Sequence, residues 1–477
     1  MGGLTTPAVP GRSGQWPGGL VERSPIPRYR QETERLIEDA IVILDRLREN
    51  SRPTPDGGVT WLGPTGYGTE LIPLRMVQLG PHLYDGTVGI ALFVAALARL
   101  RSDKELRALS CHILAPLRRK LADLVADPDR ASGVRVPLGG LIGLGSFIYG
   151  FLTIGKLLDE PSLIQESHDI MGLITPERIN GDRRVRIQTG SAGAILALLA
   201  LNKNVPGPNG HGKTPLDLAW ECARHLIANR IAFDGRPRAW SLSSGKPPLA
   251  GFSYGAAGIS YALLRLFEAT GRQELWDSAQ EGLAFLRTLY VPVRKNWLDI
   301  RAVFETRYQP RRGTWKDWWA SGSMYDLEEV SNPPPVDQRF PEMWCHGAVG
   351  IALGRIGALH LDDTPEIRQE VEGVLDRAKS CEQTLAGPDD LCCGYMGLIE
   401  LLVFAYQRLG REELLTTARA LMARVSERAS IHGDYRLSAA RGTSAFAPTL
   451  FQGIAGVGYT LLRLAEPQEL PCILLFE

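Results

Sequence analysis

The sequence predicts an all-α fold, an α/α toroid in which seven inner helices form a ring inside a second ring of outer helices. Three observations point there. Seven G-x-x-G steps in the 477 residues each lead into a small and apolar stretch. Those stretches lack a polar face, so each must be buried on every side. Between them lie amphipathic segments with apolar residues at three- and four-residue steps, the pattern of half-exposed helices. A supersecondary unit repeated in this way buries its apolar faces against its neighbours.

Taken in order, residues 1–27 are rich in Gly, Pro and Ser and are expected to be a disordered segment or linker ahead of one domain over 28–477. Residues 32–48 form the first amphipathic helix. The seven steps follow: Gly86-Thr87-Val88-Gly89, Gly140-Leu141-Ile142-Gly143, Gly190-Ser191-Ala192-Gly193, Gly255-Ala256-Ala257-Gly258, Gly347-Ala348-Val349-Gly350, Gly394-Tyr395-Met396-Gly397 and Gly453-Ile454-Ala455-Gly456. Residues 90–97 and 195–201 are typical of what comes after them, apolar nearly all round. Residues 276–289 and 367–385 repeat the amphipathic pattern. The repeats are about one helical hairpin long except between the fourth and fifth. There an insertion, about 291–343, carries Trp297, Trp315, Trp318, Trp319 and Pro333-Pro334-Pro335. An aromatic-rich insertion of this length is either a functional lid or binding surface, or a decoration packed on the outer ring. Any strands are expected to be short and confined to insertions.

Composition narrows the function. Apolar residues make up 44% and charged residues 22%, as in soluble globular proteins. Lys+Arg and Asp+Glu are equal at 53 each, so no bulk charge draws the chain to nucleic acid or an anionic membrane. Apolar-rich runs such as 194–201 and 398–405 fall far short of the ~20 residues that span a bilayer. No basic and apolar signal opens the chain. Seven cysteines, an odd number with two adjacent, argue against a disulfide framework and fit a reducing cytoplasm. Cys111, Cys222, Cys381 and Cys472 fall on helical-looking stretches and are expected to be buried or incidental.

The other three cysteines define a site. The two residues before each G-x-x-G step occupy equivalent positions on one rim of the predicted ring. They read Tyr84-Asp85, Leu138-Gly139, Gln188-Thr189, Ser253-Tyr254, Cys345-His346, Cys392-Cys393 and Phe451-Gln452. Fourteen such slots would hold about 0.2 cysteines by chance, yet three are present, all in neighbouring repeats. Adjacent helix axes pack about 8–10 Å apart, a gap that one ion with bonds of about 2.3 Å to sulfur can bridge. Helix N-termini also favour thiolates. Cys345, Cys392 and Cys393 are therefore the predicted ligands of a soft metal, Zn²⁺, with a fourth position open to water or substrate. His346 is the other candidate ligand, although Cys345 already fills the neighbouring slot. Asp85, just ahead of a helix, reads as an N-cap.

With these residues in view, the chain resembles the lanthionine synthetase C-like family over about residues 28–477, most closely the cyclase domain of class II lanthipeptide synthetases. The resemblance rests on residues 83–92 (LYDGTVGIAL), 251–258 (GFSYGAAG), Trp344-Cys345-His346-Gly347 and Leu391-Cys392-Cys393-Gly394. It implies a seven-fold α/α barrel with zinc at one end, held at positions matching Cys345, Cys392 and, in place of the usual His, Cys393. The Cys-Cys-Gly form resembles the subgroup known for substrate tolerance. Three sulfurs should leave a bound thiolate more nucleophilic. The implied reaction adds a peptide cysteine thiol to dehydroalanine or dehydrobutyrine and forms a lanthionine or methyllanthionine thioether, as in antibiotic lanthipeptide biosynthesis.

The sequence departs from the family at two positions. Tyr254 stands where a His is usual, and Arg186 where an Asp is usual. His346 and Tyr254 are the remaining candidates for protonating the enolate. The expected partner is a dehydrated precursor peptide, with a separate or fused dehydratase supplying it, since the large dehydratase region of class II enzymes is absent here. Two alternatives remain open: addition of a small thiol such as glutathione to dehydrated residues, and a non-catalytic peptide-binding scaffold that keeps structural zinc.

Overall fold

The structure is a computed structural model, and it describes residues 30–65, 74–241, 246–300, 339–380, 385–440 and 442–477. Fourteen of its helices form two concentric rings, and their chain order alternates between the rings. The outer helices are α1 (Arg30–Glu49), α3 (Lys104–Ala126), α5 (Pro161–Ile170), α7 (Pro215–Ala228), α9 (Gln273–Arg287), α11 (Pro365–Ser380) and α13 (Glu412–His432). The inner helices are α2 (Thr87–Arg101), α4 (Leu144–Leu157), α6 (Ser191–Asn202), α8 (Ala256–Thr270), α10 (Ala348–Gly357), α12 (Tyr395–Leu409) and α14 (Ile454–Ala465). Each inner helix packs on the next, and α14 packs back on α2, which closes an α/α toroid.

The two kinds of helix differ as their sequences require. Along α2 every residue from Val88 to Ala98 is buried. In α1 burial falls on Leu36, Ala40, Ile43, Leu44 and Leu47, a stripe along one face. Each inner helix pairs with the outer helix that follows it, except the last. The outer partner of α14 is α1, from the other end of the chain. Arg46 and Asp434 add a two-pronged ion pair between α1 and the segment after α13, at 2.9 Å for each bond. Strands among the described residues are short antiparallel pairs in the connections: Arg52–Pro53 with Val59–Thr60, Leu62–Thr65 with Arg75–Gln78, and Tyr290–Val291 with Asn296–Trp297.

One end of the inner ring is tied by a closed cycle of backbone hydrogen bonds. The N–H of Tyr84 donates to the carbonyl of Leu141, and Leu141 donates to Gln188. Gln188 donates to Ser253, Ser253 to Cys345, Cys345 to Cys392, Cys392 to Phe451, and Phe451 back to Tyr84. The seven distances run from 2.9 to 3.4 Å. Every member lies two residues before the glycine that caps an inner helix, so the seven inner N-termini share this rim.

This cycle corrects the register of the second repeat. The sequence pattern put the first glycine of its step at Gly140 and the rim slots at Leu138-Gly139. The helix is capped instead by Gly143, so the rim residues are Leu141 and Ile142. Gly143 has φ 132°, a conformation open to glycine and rarely to other residues, and a Cβ there would lie 2.2 Å from the carbonyl oxygen of Pro137. Two smaller expectations also fail. Gly86, not Asp85, caps α2, with no side-chain cap, and Asp85 is exposed. Cys472 lies in the buried non-helical segment after α14 rather than on a helix. Residues 1–27, Cys381 and most of the insertion, including Trp315, Trp318, Trp319 and the three prolines, lie outside the described residues. Trp297, in the described part, is buried.

Candidate metal centre at the rim

Two neighbouring loops bring the three rim cysteines together. The loop before α10 is closed by Ala348 N–H donating to the carbonyl of Pro341 at 3.1 Å, and the loop before α12 by Tyr395 N–H donating to Pro388 at 3.0 Å. The second loop is anchored more heavily, through two buried carboxylates. Asp389 accepts from the backbone N–H of Arg436 at 2.7 Å and from the guanidinium of Arg428. Asp390 accepts from the N–H of Cys393 at 2.9 Å and from the N–H of Ser438 at 2.8 Å. Burial, and then the charge on Cys393, push Asp390 up to about 7.

The sulfurs fit a metal ion. The Sγ atoms of Cys345, Cys392 and Cys393 all lie within 4.8 Å of one another, and those of Cys345 and Cys393 are 3.9 Å apart. Four ligands around zinc at bonds of about 2.3 Å place neighbouring sulfurs about 3.8 Å apart. None of the three cysteines is in a disulfide; Cys345 and Cys392 are buried and Cys393 is half-buried. Hydrogen bonds from Cys345 and then Cys392 hold the Cys393 thiol well below the usual cysteine range, whereas Cys392, bonded first to Cys345, is pushed up.

Polar and aromatic side chains surround the sulfurs. The hydroxyl of Tyr84 donates to Cys392 Sγ at 3.0 Å. Its ring stacks on Phe451 with centroids 4.9 Å apart, Phe451 meets Trp344 at 5.3 Å, and Trp344 meets Phe252 at 5.8 Å. Gln452 Nε2 lies 4.0 Å from Cys393 Sγ.

Tyr254 and His346, the two predicted proton donors, are brought face to face, with centroids 4.4 Å apart and planes 15° from parallel. Arg186 covers the Tyr254 ring at 4.6 Å, and its Nε donates to Thr189 Oγ1 at 2.8 Å. Burial and the charge on Cys392 push the Tyr254 phenol up, and Arg186 offsets this in part. At neutral pH it is a neutral phenol rather than a base. Arg186 and Tyr254 thus form one stacked array ending at His346, next to Cys345.

Sequence reasoning missed Tyr84, Asp389 and Asp390. Tyr84 was in view as a rim slot, but its contact with Cys392 depends on ring closure. The two consecutive carboxylates beside an apolar rim were the available signal for the anchoring of the second loop.

Residues 77–475 match the family described as lanthionine synthetase C-like protein. Among solved structures, nisin cyclase superposes with a TM-score of 0.54 at 15% identity, over 94% of this chain and 98% of that one. An unsaturated glucuronyl hydrolase specific for heparin (TM-score 0.38, 14% identity, 84% and 98% covered) and a sugar epimerase from a ruminal bacterium (0.37, 12%, 83% and 86%) are too remote to bear on function. Nisin cyclase supports the fold alone. The family match spans most of the chain and includes all three rim cysteines: the chain belongs to the lanthionine synthetase C-like family.

Proposed function

We propose that this chain is a zinc-dependent lanthipeptide cyclase that adds peptide cysteine thiols to dehydroalanine or dehydrobutyrine residues. The observation that carries the reading is the spacing of the three rim sulfurs, which is compatible with three corners of a tetrahedral site; the fourth corner is assigned to the substrate thiol. Zinc bound there would supply Lewis-acid deprotonation of an incoming thiol at neutral pH.

The chain's own residues supply the rest. Cys345, Cys392 and Cys393 hold the site, and the Asp389 and Asp390 anchors fix the loop that carries two of them. The substrate sulfur attacks Cβ of the dehydro residue, a C–S bond forms, and the π pair moves to an enolate. One proton, equivalent to that lost by the thiol, is then added at Cα. His346 is the group assigned to deliver it, held in place by its stack on Tyr254. Arg186 braces that stack from the other side. The peptide arrives already dehydrated, so a dehydratase acts before this chain, in a cytoplasmic pathway.

The replacement of the usual His and Asp by Tyr254 and Arg186 favours a second reading, a non-catalytic zinc-bearing peptide scaffold. The test incubates zinc-loaded protein with a dehydrated, cysteine-containing precursor peptide and counts free thiols by alkylation and mass spectrometry. Thiols lost faster than without protein support the cyclase. Thiols that persist at the uncatalysed rate overturn it in favour of the scaffold. Adding glutathione separates ring closure from an intermolecular adduct by mass.

A further inference from the structure

We infer that Tyr84 is a positioning residue for the metal centre, whose phenol tempers the electron donation of the Cys392 thiolate. The inference rests on the metal reading of the three cysteines and deepens it.

Tyr84 and Cys392 belong to the first and sixth repeats, 308 positions apart in sequence. They meet because the ring closes: Cys392 N–H donates to the Phe451 carbonyl at 2.9 Å, and Phe451 N–H donates to the Tyr84 carbonyl at 3.1 Å. Tyr84 and Cys392 are therefore two steps apart on the rim, with Phe451 between them. The stack on Phe451, 4.9 Å between centroids and 17° from parallel, aims the phenol across that intervening slot. Its hydroxyl donates to Sγ at 3.0 Å, and the side chain is 7% exposed, so water scarcely competes for the sulfur.

The charge balance of the site gives this bond a role. Three thiolates on a divalent ion already leave a net charge of about −1, and a substrate thiolate makes it about −2. In a buried site such charge needs hydrogen-bond donors. A donor on sulfur withdraws density from it, and partners of this kind orient ligands and tune the metal. The all-sulfur set makes the site electron-rich, and Tyr84 acts in the opposite sense on one ligand. Gln452, 4.0 Å from Cys393 Sγ, is too distant to do the same with equal effect.

The test compares Co²⁺-loaded wild-type protein with Tyr84→Phe, which keeps the ring and its stack but loses the donor. Loss of the hydrogen bond should move the sulfur-to-cobalt charge-transfer band to longer wavelength. The visible ligand-field bands, which report tetrahedral geometry, should keep their intensity. If Tyr84→Phe does not fold, 3,5-difluorotyrosine at position 84, a stronger donor, should move the band the opposite way. An unmoved band in a folded variant overturns the role of Tyr84 and leaves the metal site standing. Failure of the wild-type chain to bind Co²⁺ or Zn²⁺ overturns the metal reading, and this inference with it.

Discussion

Cys393 decides how many sulfurs the centre has. It is half-buried where its two partners are buried, and its thiol is held low by both. Cys393→Ala should lower zinc affinity by more than the roughly 10–100-fold seen on losing an outer-shell partner. Metal content after chelator challenge, read by mass spectrometry, checks this, and unchanged stoichiometry would remove Cys393 from the ligand set. His346→Ala makes the complementary prediction. Zinc content should hold while the cyclisation rate falls by about 10²–10⁴-fold, the usual contribution of a positioned acid. An unaffected rate would assign the proton to another group. The cysteines were legible because repeat counting places them in equivalent slots. The Tyr254–His346 stack was not, since the direction of a ring follows from packing rather than from slot number.

At the scale of the helix, the step glycines explain why the inner ring can be so tight. A Cβ on Gly350 would lie 1.9 Å from the carbonyl oxygen of Trp344, and that oxygen cannot move without shifting the residue beside Cys345. Gly350→Ala should destabilise the fold by at least the ~1–3 kcal/mol of ordinary overpacking, and loosen the metal centre with it. Gly207 meets nothing within 4 Å, so Gly207→Ala is the control, expected to be neutral or slightly stabilising. Urea midpoints of the two variants check the contrast. Helix positions were legible to within a few residues, as in residues 32–48 against the observed Arg30–Glu49. The second repeat misled because its true step, Gly143-Leu144-Gly145-Ser146, lacks the second glycine, while Gly140-Leu141-Ile142-Gly143 meets the pattern three residues early. The backbone cycle and the conformation of Gly143 reveal the shift.

For the whole molecule, the joint between α1 and α14 closes the outer ring with residues more than 400 positions apart. Period and pattern foretold seven inner helices, but not which outer helix would cover the last. Two contributions of α1 differ in weight. The Arg46–Asp434 pair is exposed, so its loss should cost about 1 kcal/mol or less. Leu44 is buried, and Leu44→Ala should cost about 2–5 kcal/mol. Denaturant unfolding of Leu44→Ala and Arg46→Ala separates them, and equal effects would mean that the joint is held electrostatically.

The backbone cycle at the rim has a consequence in time as well as in space. A ladder of hydrogen bonds frays from its ends, but a closed loop has none, so no member can open without straining the others. The amides of Tyr84, Leu141, Gln188, Ser253, Cys345, Cys392 and Phe451 should therefore exchange with deuterium as one slow set, at the rate of global unfolding. Scattered exchange rates would show that the loop opens piecemeal. If the proposed cyclase activity holds, a mouth this unyielding would leave adaptation to the other party: a flexible peptide would fold its own chain to present each thiol, and ring size would be set by the substrate's slack rather than by motion of the protein.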